Sequence, residues 1–229
     1  MQSRRRFLAI LIPLALAAFY AGTHLVPRRP AAPVHPITGR QIAGVATDAA
    51  WLDRAAREQE EAPAEALALI GIRSGMVVAD VGAGSGYMTT RIARLVGPSG
   101  KVFANDIQPA MLRILREKAA AEQLSNIDIV LGTETDARLP SGAIDLALMV
   151  DVYHELWHPR EMLQSIRRSL KPDGRLVLVE YRKEDPRIPI APTHRMSVAD
   201  ARAEVEAEGF RFERVIGGLP RQHIIVFDR

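Results

Sequence analysis

The chain of 229 residues contains no cysteine. That absence excludes disulfides, thiolate zinc sites, iron–sulfur clusters and every mechanism built on a cysteine nucleophile. Aromatic residues are scarce at 5%, within a composition of 48% hydrophobic and 25% charged residues. The overall proportions are those of a globular protein, which argues against disorder and fibrous architecture. Basic charge is also missing from the body of the chain. The formal net charge is +3, but residues 1–35 hold Arg4, Arg5, Arg6, Arg28 and Arg29 and no acid. The remainder has 25 basic against 27 acidic residues, a balance of −2. Without a basic footprint on the folded part, a nucleic-acid partner is not expected. No internal repeat is visible.

The N-terminus has the pattern of an export signal. Ser3-Arg4-Arg5-Arg6-Phe7-Leu8 leads into an uncharged run, Phe7 to Gly22, with Ala15-Leu16-Ala17 as a small-x-small site. The Ser-Arg-Arg-x-Phe-Leu arrangement resembles a twin-arginine signal. The run of about 16 residues gives roughly 24 Å of helix, short of the ~20 residues that span a bilayer comfortably. Cleaved signal and retained anchor both stay open. Residues 1–26 are therefore assigned to a signal peptide or membrane anchor, 27–47 to a proline-rich linker, and 48–229 to the functional domain. The positive-inside rule places that domain outside the cytoplasm, membrane-associated or exported; the alternative is an anchor that holds it facing the cytoplasm.

From residue 48 onward, helix-like and strand-like segments alternate. Helices are predicted over Trp51 to Leu69 (broken at Pro63), Tyr87 to Leu95, from Pro109, from Pro159, and over Val198 to Glu208. Strands are predicted at Val77–Val81, Lys101–Asn105, Ile127–Leu131, Ile144–Val150 and Arg175–Glu180. Lys171 to Gly174 reads as a turn. Phe210–Glu213 and Ile224–Phe227 read as a closing antiparallel pair. The pattern predicts an α/β, doubly wound, Rossmann-like sheet, mostly parallel with an antiparallel C-terminal strand.

Asp80-Val81-Gly82-Ala83-Gly84-Ser85-Gly86 falls between a strand and a helix, where such sheets bind ligands. A dinucleotide fingerprint would need its third glycine at Tyr87, so that reading fails. Asp80 would also repel a pyrophosphate, whereas it favours a cation. S-adenosylmethionine, with an ammonium, a sulfonium and one carboxylate, carries net charge +1. Asp106, at the end of the second strand, is placed to accept hydrogen bonds from ribose hydroxyls, with helix capping as the alternative.

Asp80–Gly86, Asp106, Gly132–Pro140, Asp145–His154 and Leu170–Tyr181 together resemble the successive motifs of class I S-adenosylmethionine-dependent methyltransferases. The resemblance runs over residues 50–229 and includes the seven-stranded sheet. The nearest subgroup is bacterial methyltransferase-domain proteins similar to the small-molecule methylases of quinone biosynthesis. It implies S-adenosylmethionine as cofactor, with Asp80, Gly82, Gly84, Gly86, Asp106 and Asp151 on the cofactor side. The usual Gly-Asp after the third strand reads Gly132-Thr133-Glu134-Thr135-Asp136 here, and Asp136 is assigned to the adenine. The missing cysteines exclude the multi-thiol chemistry of arsenite methylases.

The stretch Asp151-Val152-Tyr153-His154-Glu155-Leu156-Trp157-His158 carries the most chemistry. On the methyltransferase reading it adjoins the methyl donor, with Tyr153 and His154 lining the acceptor site and His154 as general base. No Asn/Asp-Pro-Pro-Tyr sequence of exocyclic-amine methylation is present, so the acceptor is read as a small molecule. Glu180, Tyr181, Arg182, Arg57, Glu58 and Glu61 are candidates to face the same cleft. His154 to His158 also spells His-Glu-x-x-His, but that zinc motif needs both histidines on one helical face. Pro159 drives its predecessor out of the α region, so no metal site is expected there. Two alternatives remain beside methyl transfer: a non-catalytic S-adenosylmethionine-binding module, and a zinc hydrolase using that string.

Overall fold

The computed structural model describes residues 33–229. The 1–26 segment assigned to a signal or anchor lies outside the described residues. Among the described residues, no helix is long and apolar enough to cross a membrane.

Seven strands form one sheet: β1 (Val77–Val81), β2 (Lys101–Asp106), β3 (Ile127–Leu131), β4 (Ile144–Val150), β5 (Leu170–Tyr181), β6 (Arg211–Ile216) and β7 (Gln222–Asp228). Their order is β3-β2-β1-β4-β5-β7-β6. The first five pair in parallel, and β7 runs antiparallel between β5 and β6. The order reverses between β1, which pairs with β2, and β4. That switch point opens a crevice beyond the strand ends.

Strand periodicity divides the core into two layers. Ala147, Met149, Leu176, Leu178, Ile225 and Phe227 face α6 (Pro159–Ser169) and α7 (Val198–Glu206). The alternate residues Leu146, Leu148, Val177, Val179, Ile224 and Val226 face α3 (Pro63–Ile70) and α4 (Tyr87–Val96). Each fully buried aliphatic side chain contributes about 1.5–3 kcal/mol, so the near-continuous apolar text of β4 and β5 fixes them at the centre of the sheet.

Three segments differ from the sequence reading. The leading helix breaks before Pro63 as expected, at the left-handed Ala62 (φ 49°) between α2 (Arg57–Glu61) and α3, but it also breaks at Asp53, which ends a separate α1 (Ala49–Leu52). Lys171–Gly174 is a bulge inside β5 rather than a turn before it: Ile144 pairs with Leu170, and Leu146 pairs with Arg175. The third difference is the domain boundary. Residues 33–47, read as linker, belong to the packed unit. Val34 bridges Gln41, Ile42 is 2% exposed, and the Ala43 amide donates to the His154 carbonyl at 3.0 Å. Prolines made the segment look extended, while its anchors lie more than a hundred residues away.

Candidate active site

The loop after β1 is built on three glycines in the left-handed region, Gly82 (φ 75°), Gly84 (φ 53°) and Gly86 (φ 85°). Amides of Gly82 and Ala83 both donate to the Asn105 carbonyl at 2.8 Å, tying the loop to the end of β2. A side chain on Gly82 would strike Val152, with its Cβ 2.5 Å from Cγ2. Asp106 accepts from the Gly84 amide and from the Gln108 amide, each at 2.8 Å. It therefore braces the loop and starts the turn into α5 (Pro109–Ala121). Each carboxylate oxygen retains a second acceptor site.

A cavity of about 540 Å³ opens beside this loop. That lies within the range of pockets that enclose drug-sized ligands. Gly82, Gly84, Asp106 and Asp151 line one part of it. Asp151 is itself left-handed (φ 55°). Its Oδ2 accepts from Gln222 Nε2 at 2.7 Å, while its buried Oδ1 has no partner. The nearest cation is Arg57, 3.9 Å away and already paired with Glu61 at 2.5 Å. Tyr181 also lines the cavity and donates to Glu61 at 2.7 Å.

The cavity also has apolar lining from Trp51, Leu52, Leu156, Trp157, Met162 and Ile190, with Leu52 set against Gly84. Its polar end comprises His154, Glu155 and His194. His154 is 1% exposed, with Nδ1 2.6 Å from Glu180 Oε2 and Nε2 3.0 Å from His194 Nδ1. A fully buried Glu180 fixes the imidazole in one orientation and raises the His154 pKa against the opposing effect of burial, which is the larger influence acting on it.

Three carboxylates on the cavity wall, and Asp80 beneath it, are held above their ordinary pKa, each first by burial. Asp80 is raised to about 6, with repulsion from Asp106 adding to burial, and Asp106 is raised by burial alone. Asp151 rises well above the usual range, helped by Glu61 and Glu180. Glu155 rises to about 7, helped by Glu180 and Asp106. Among the described residues these acids outnumber the Arg57 cation beside them, so a positively charged occupant is favoured.

Not every residue singled out in the sequence reaches the cavity. Asp80 lies beneath the loop, 2% exposed, and accepts from the Thr89 hydroxyl at 2.5 Å. Gly86 begins α4 and packs against Leu115. Asp136 turns away: its Oδ1 accepts from Ser165 at 2.7 Å and from the Arg138 amide at 2.8 Å. Glu134 is the acid of that loop on the cavity wall. Tyr153 is 0% exposed and belongs to the core, because successive residues of the 3-10 turn Tyr153–Glu155 point about 120° apart. Arg182 binds the carbonyls of Leu219, Pro220 and Gln222, and Glu58 binds Tyr87. His158 precedes α6 with non-helical torsions and sits 3.5 Å from Glu134, so His154 and His158 share no helical face. Glu155 and His194 went unassigned in the methyltransferase reading of the sequence. Only the unrelated zinc string drew attention to Glu155, and nothing near His194 marks it.

Residues 78–174 match the family described as "Methyltransferase domain". The UbiE ubiquinone/menaquinone biosynthesis C-methyltransferase of Pseudomonas paraeruginosa is 35% identical over 116 residues, covering 50% of this chain and 45% of that one. The corresponding protein of Pseudomonas fluorescens is 32% identical over 119 residues, covering 52% and 46%. The chain thus spans about half the length of these curated relatives. A crystal structure of a SAM-dependent methyltransferase from Aquifex aeolicus superposes with a TM-score of 0.75 at 27% identity, covering 80% of this chain and 99% of that one. The seven-stranded α/β fold is thus the one found in S-adenosylmethionine-dependent methyltransferases. More particularly, residues 78–174 are similar to a methyltransferase domain, and S-adenosylmethionine is the cofactor that this similarity implies. The residues present fit that group, since the orphaned Asp151 oxygen and the surrounding carboxylates suit a ligand of net positive charge.

Proposed function

We propose that the protein methylates a carbon atom of a small, largely apolar acceptor that carries a hydroxyl beside the reacting position, as in a phenol or quinol. The observation that carries this reading is the single cavity that joins the glycine loop, Asp106 and Asp151 to an apolar chamber ending at His154, Glu155 and His194. The resemblance to C-methyltransferases of quinone biosynthesis supports carbon as the acceptor atom.

S-adenosylmethionine, when bound, supplies a methyl group on a positively charged sulfur that is already a good leaving group. The chain's own task is mainly to align the reactants. On this reading Asp106 and the loop amides receive the nucleoside half, and Asp151 receives the ammonium. Trp51, Leu52, Leu156 and Trp157 grip the apolar body of the acceptor and exclude water. A hydroxyl directed at the polar end would give its proton to the hydrogen-bonded His154–His194 pair, making the adjacent ring carbon nucleophilic; after methylation that carbon would lose its hydrogen as a proton and the oxygen would regain one. Glu180, bonded to the opposite nitrogen, stabilises the imidazolium. Residence at a membrane, suggested by residues 3–22 of the sequence, would suit a lipid-soluble acceptor.

The test is transfer from methyl-labelled cofactor to a panel of phenols, naphthoquinols and their O-blocked analogues, with the product's labelled atom assigned by NMR. Carbon-bound label from the free hydroxyl compounds alone is the expected result. Oxygen-bound label would replace the proposal by O-methylation. Cofactor binding with no transfer to any compound or to a metabolite extract would reduce the domain to a binding module.

A further inference from the structure

Two imidazoles and a carboxylate converge at the acceptor end from two separate stretches of chain. His154 and Glu155 belong to the 3-10 turn Tyr153–Glu155, and His194 ends the turn Pro192–His194. The His154 Nε2 to His194 Nδ1 distance is 3.0 Å, and Glu155 Oε1 is 3.9 Å from the first nitrogen and 3.7 Å from the second. A tetrahedral zinc ion with ligand bonds of about 2.0–2.1 Å spaces its ligand atoms by roughly 3.3–3.4 Å. The three separations bracket that value.

The groups behind these atoms are those that steady metal ligands. Glu180, 0% exposed, binds His154 through Nδ1 and so directs the Nε2 lone pair at the cluster. Such carboxylate–imidazole pairs orient the ligand and increase its basicity. Glu155 is steadied through its other oxygen, which accepts from the Ala46 amide at 3.2 Å. Two carboxylates, Glu155 and Glu180, balance the charge of one divalent ion. All three candidate ligands line the cavity, which leaves the remaining coordination positions facing the acceptor.

We propose that His154, Glu155 and His194 bind one zinc-class divalent ion. In the metal-free protein the His194 Nδ1 proton is shared with His154 Nε2; on binding, His194 exchanges that proton through solvent for one on its own Nε2, and the two neutral rings donate the facing lone pairs to the ion. Its role rests on the acceptor reading above: an acceptor hydroxyl bound at the open position is acidified by the ion, and the ion replaces His154 as the agent that generates the oxyanion. No change of oxidation state is involved. The site shares His154 and Glu155 with the His-Glu-x-x-His string, but its second histidine is His194, and His158 takes no part.

The experiment uses the full chain, freed of any affinity tag and stripped with a chelator, titrated with cobalt(II) and then zinc(II). Cofactor binding is measured by calorimetry on the same preparation. The expected result is one equivalent of cobalt with visible absorption of a four- or five-coordinate site, displaced by zinc. His194→Ala and Glu155→Gln should abolish the spectrum, His158→Ala should leave it unchanged, and Glu180→Gln should weaken zinc binding about 10- to 100-fold. Cofactor binding without stoichiometric metal, or a spectrum that survives His194→Ala, overturns the site and leaves the proposed function standing. Metal binding with no cofactor binding leaves the site standing and removes the function.

Discussion

Arg40 holds Glu204 in a two-pronged grip across 164 residues of sequence. Its Nε lies 2.9 Å from one carboxylate oxygen and its terminal nitrogen 2.9 Å from the other, with Glu204 wholly buried. The Thr38 hydroxyl donates to the same carboxylate, and His35 approaches it at 3.4 Å. Removing one partner of such a pair leaves a buried charge uncompensated. Arg40→Ala is expected to lower stability by about 3–5 kcal/mol, read from the urea midpoint of the whole chain. An Arg40→Met, Glu204→Leu double variant should recover much of that loss. A single variant as stable as the wild type would return residues 33–47 to the status of a linker.

Asp106→Asn should weaken S-adenosylmethionine binding by about 1.5–3 kcal/mol, the range for a hydrogen bond to a charged group. Calorimetry on the folded variant checks this. Unaltered affinity would leave Asp106 with only its brace on the Gly84 amide.

Gly84 and Gly86 should fail differently. Both are left-handed, but Gly84 lines the cavity, whereas a Cβ on Gly86 would lie 2.8 Å from Leu115 in the core. Gly86→Ala is expected to cost about 1–3 kcal/mol of stability from backbone strain, with additional loss from the clash. Gly84→Ala should show its larger effect in cofactor affinity. Thermal unfolding and calorimetry on both variants separate the two, and interchangeable behaviour would refute the distinction.

Cofactor affinity should depend on pH through Asp80. Burial first, then Asp106, raises it to about 6, against the Thr89 hydroxyl and Arg57. A cationic ligand favours the ionised form, so below about pH 6 binding must release a proton and affinity falls by up to tenfold per unit. The stability of the free protein moves the other way. A folded pKa above the ordinary 3.8 gives stability that is complete below that value and lost as pH rises through about 6. Two units correspond to about 3 kcal/mol. Asp80→Asn should flatten both profiles; profiles that keep their slopes in this variant would exclude Asp80 as the origin.

Tyr153→Phe should leave turnover within about twofold. The ring is in the core, its hydroxyl has no hydrogen-bond partner, and removing an unsatisfied buried hydroxyl costs little. A large fall in kcat would restore Tyr153 to the acceptor site.

Local chemistry made much of the sheet legible in the sequence. β1, β3 and β4 fall at the expected residues because each is a short apolar run bounded by turn-forming text, and Pro109 and Pro159 open the expected helices. The glycine loop was legible for the same reason, since its requirement for left-handed backbone is written in the residues themselves. Tyr153 could not be told from His154 without the 3-10 turn that sends one inward and the other to the cavity. Asp136 and Glu134 differ by one step in a loop, where no periodicity identifies the inward side. His194 is joined to the site by an interaction 40 residues distant, and Arg40 by one of 114, to the His154 carbonyl. Such partners carry no local sequence signature.

The cavity is bounded by chain of two origins. Gly82, Asp106, Asp151 and His154 lie within the 78–174 stretch that matches the methyltransferase family. Val45 to Asp48, Trp51, Leu52, Pro189 to Ala191 and His194 lie outside it, whereas Leu156, Trp157 and Met162 lie inside. Part of the wall proposed to hold the acceptor can thus vary independently of that stretch. On the proposed function, changes in the strap before α1 and the loop after β5 would alter the acceptor while residues 78–174 stay as they are. Exchanging those two segments between homologues would accordingly transplant a preference for the acceptor without rebuilding the enzyme.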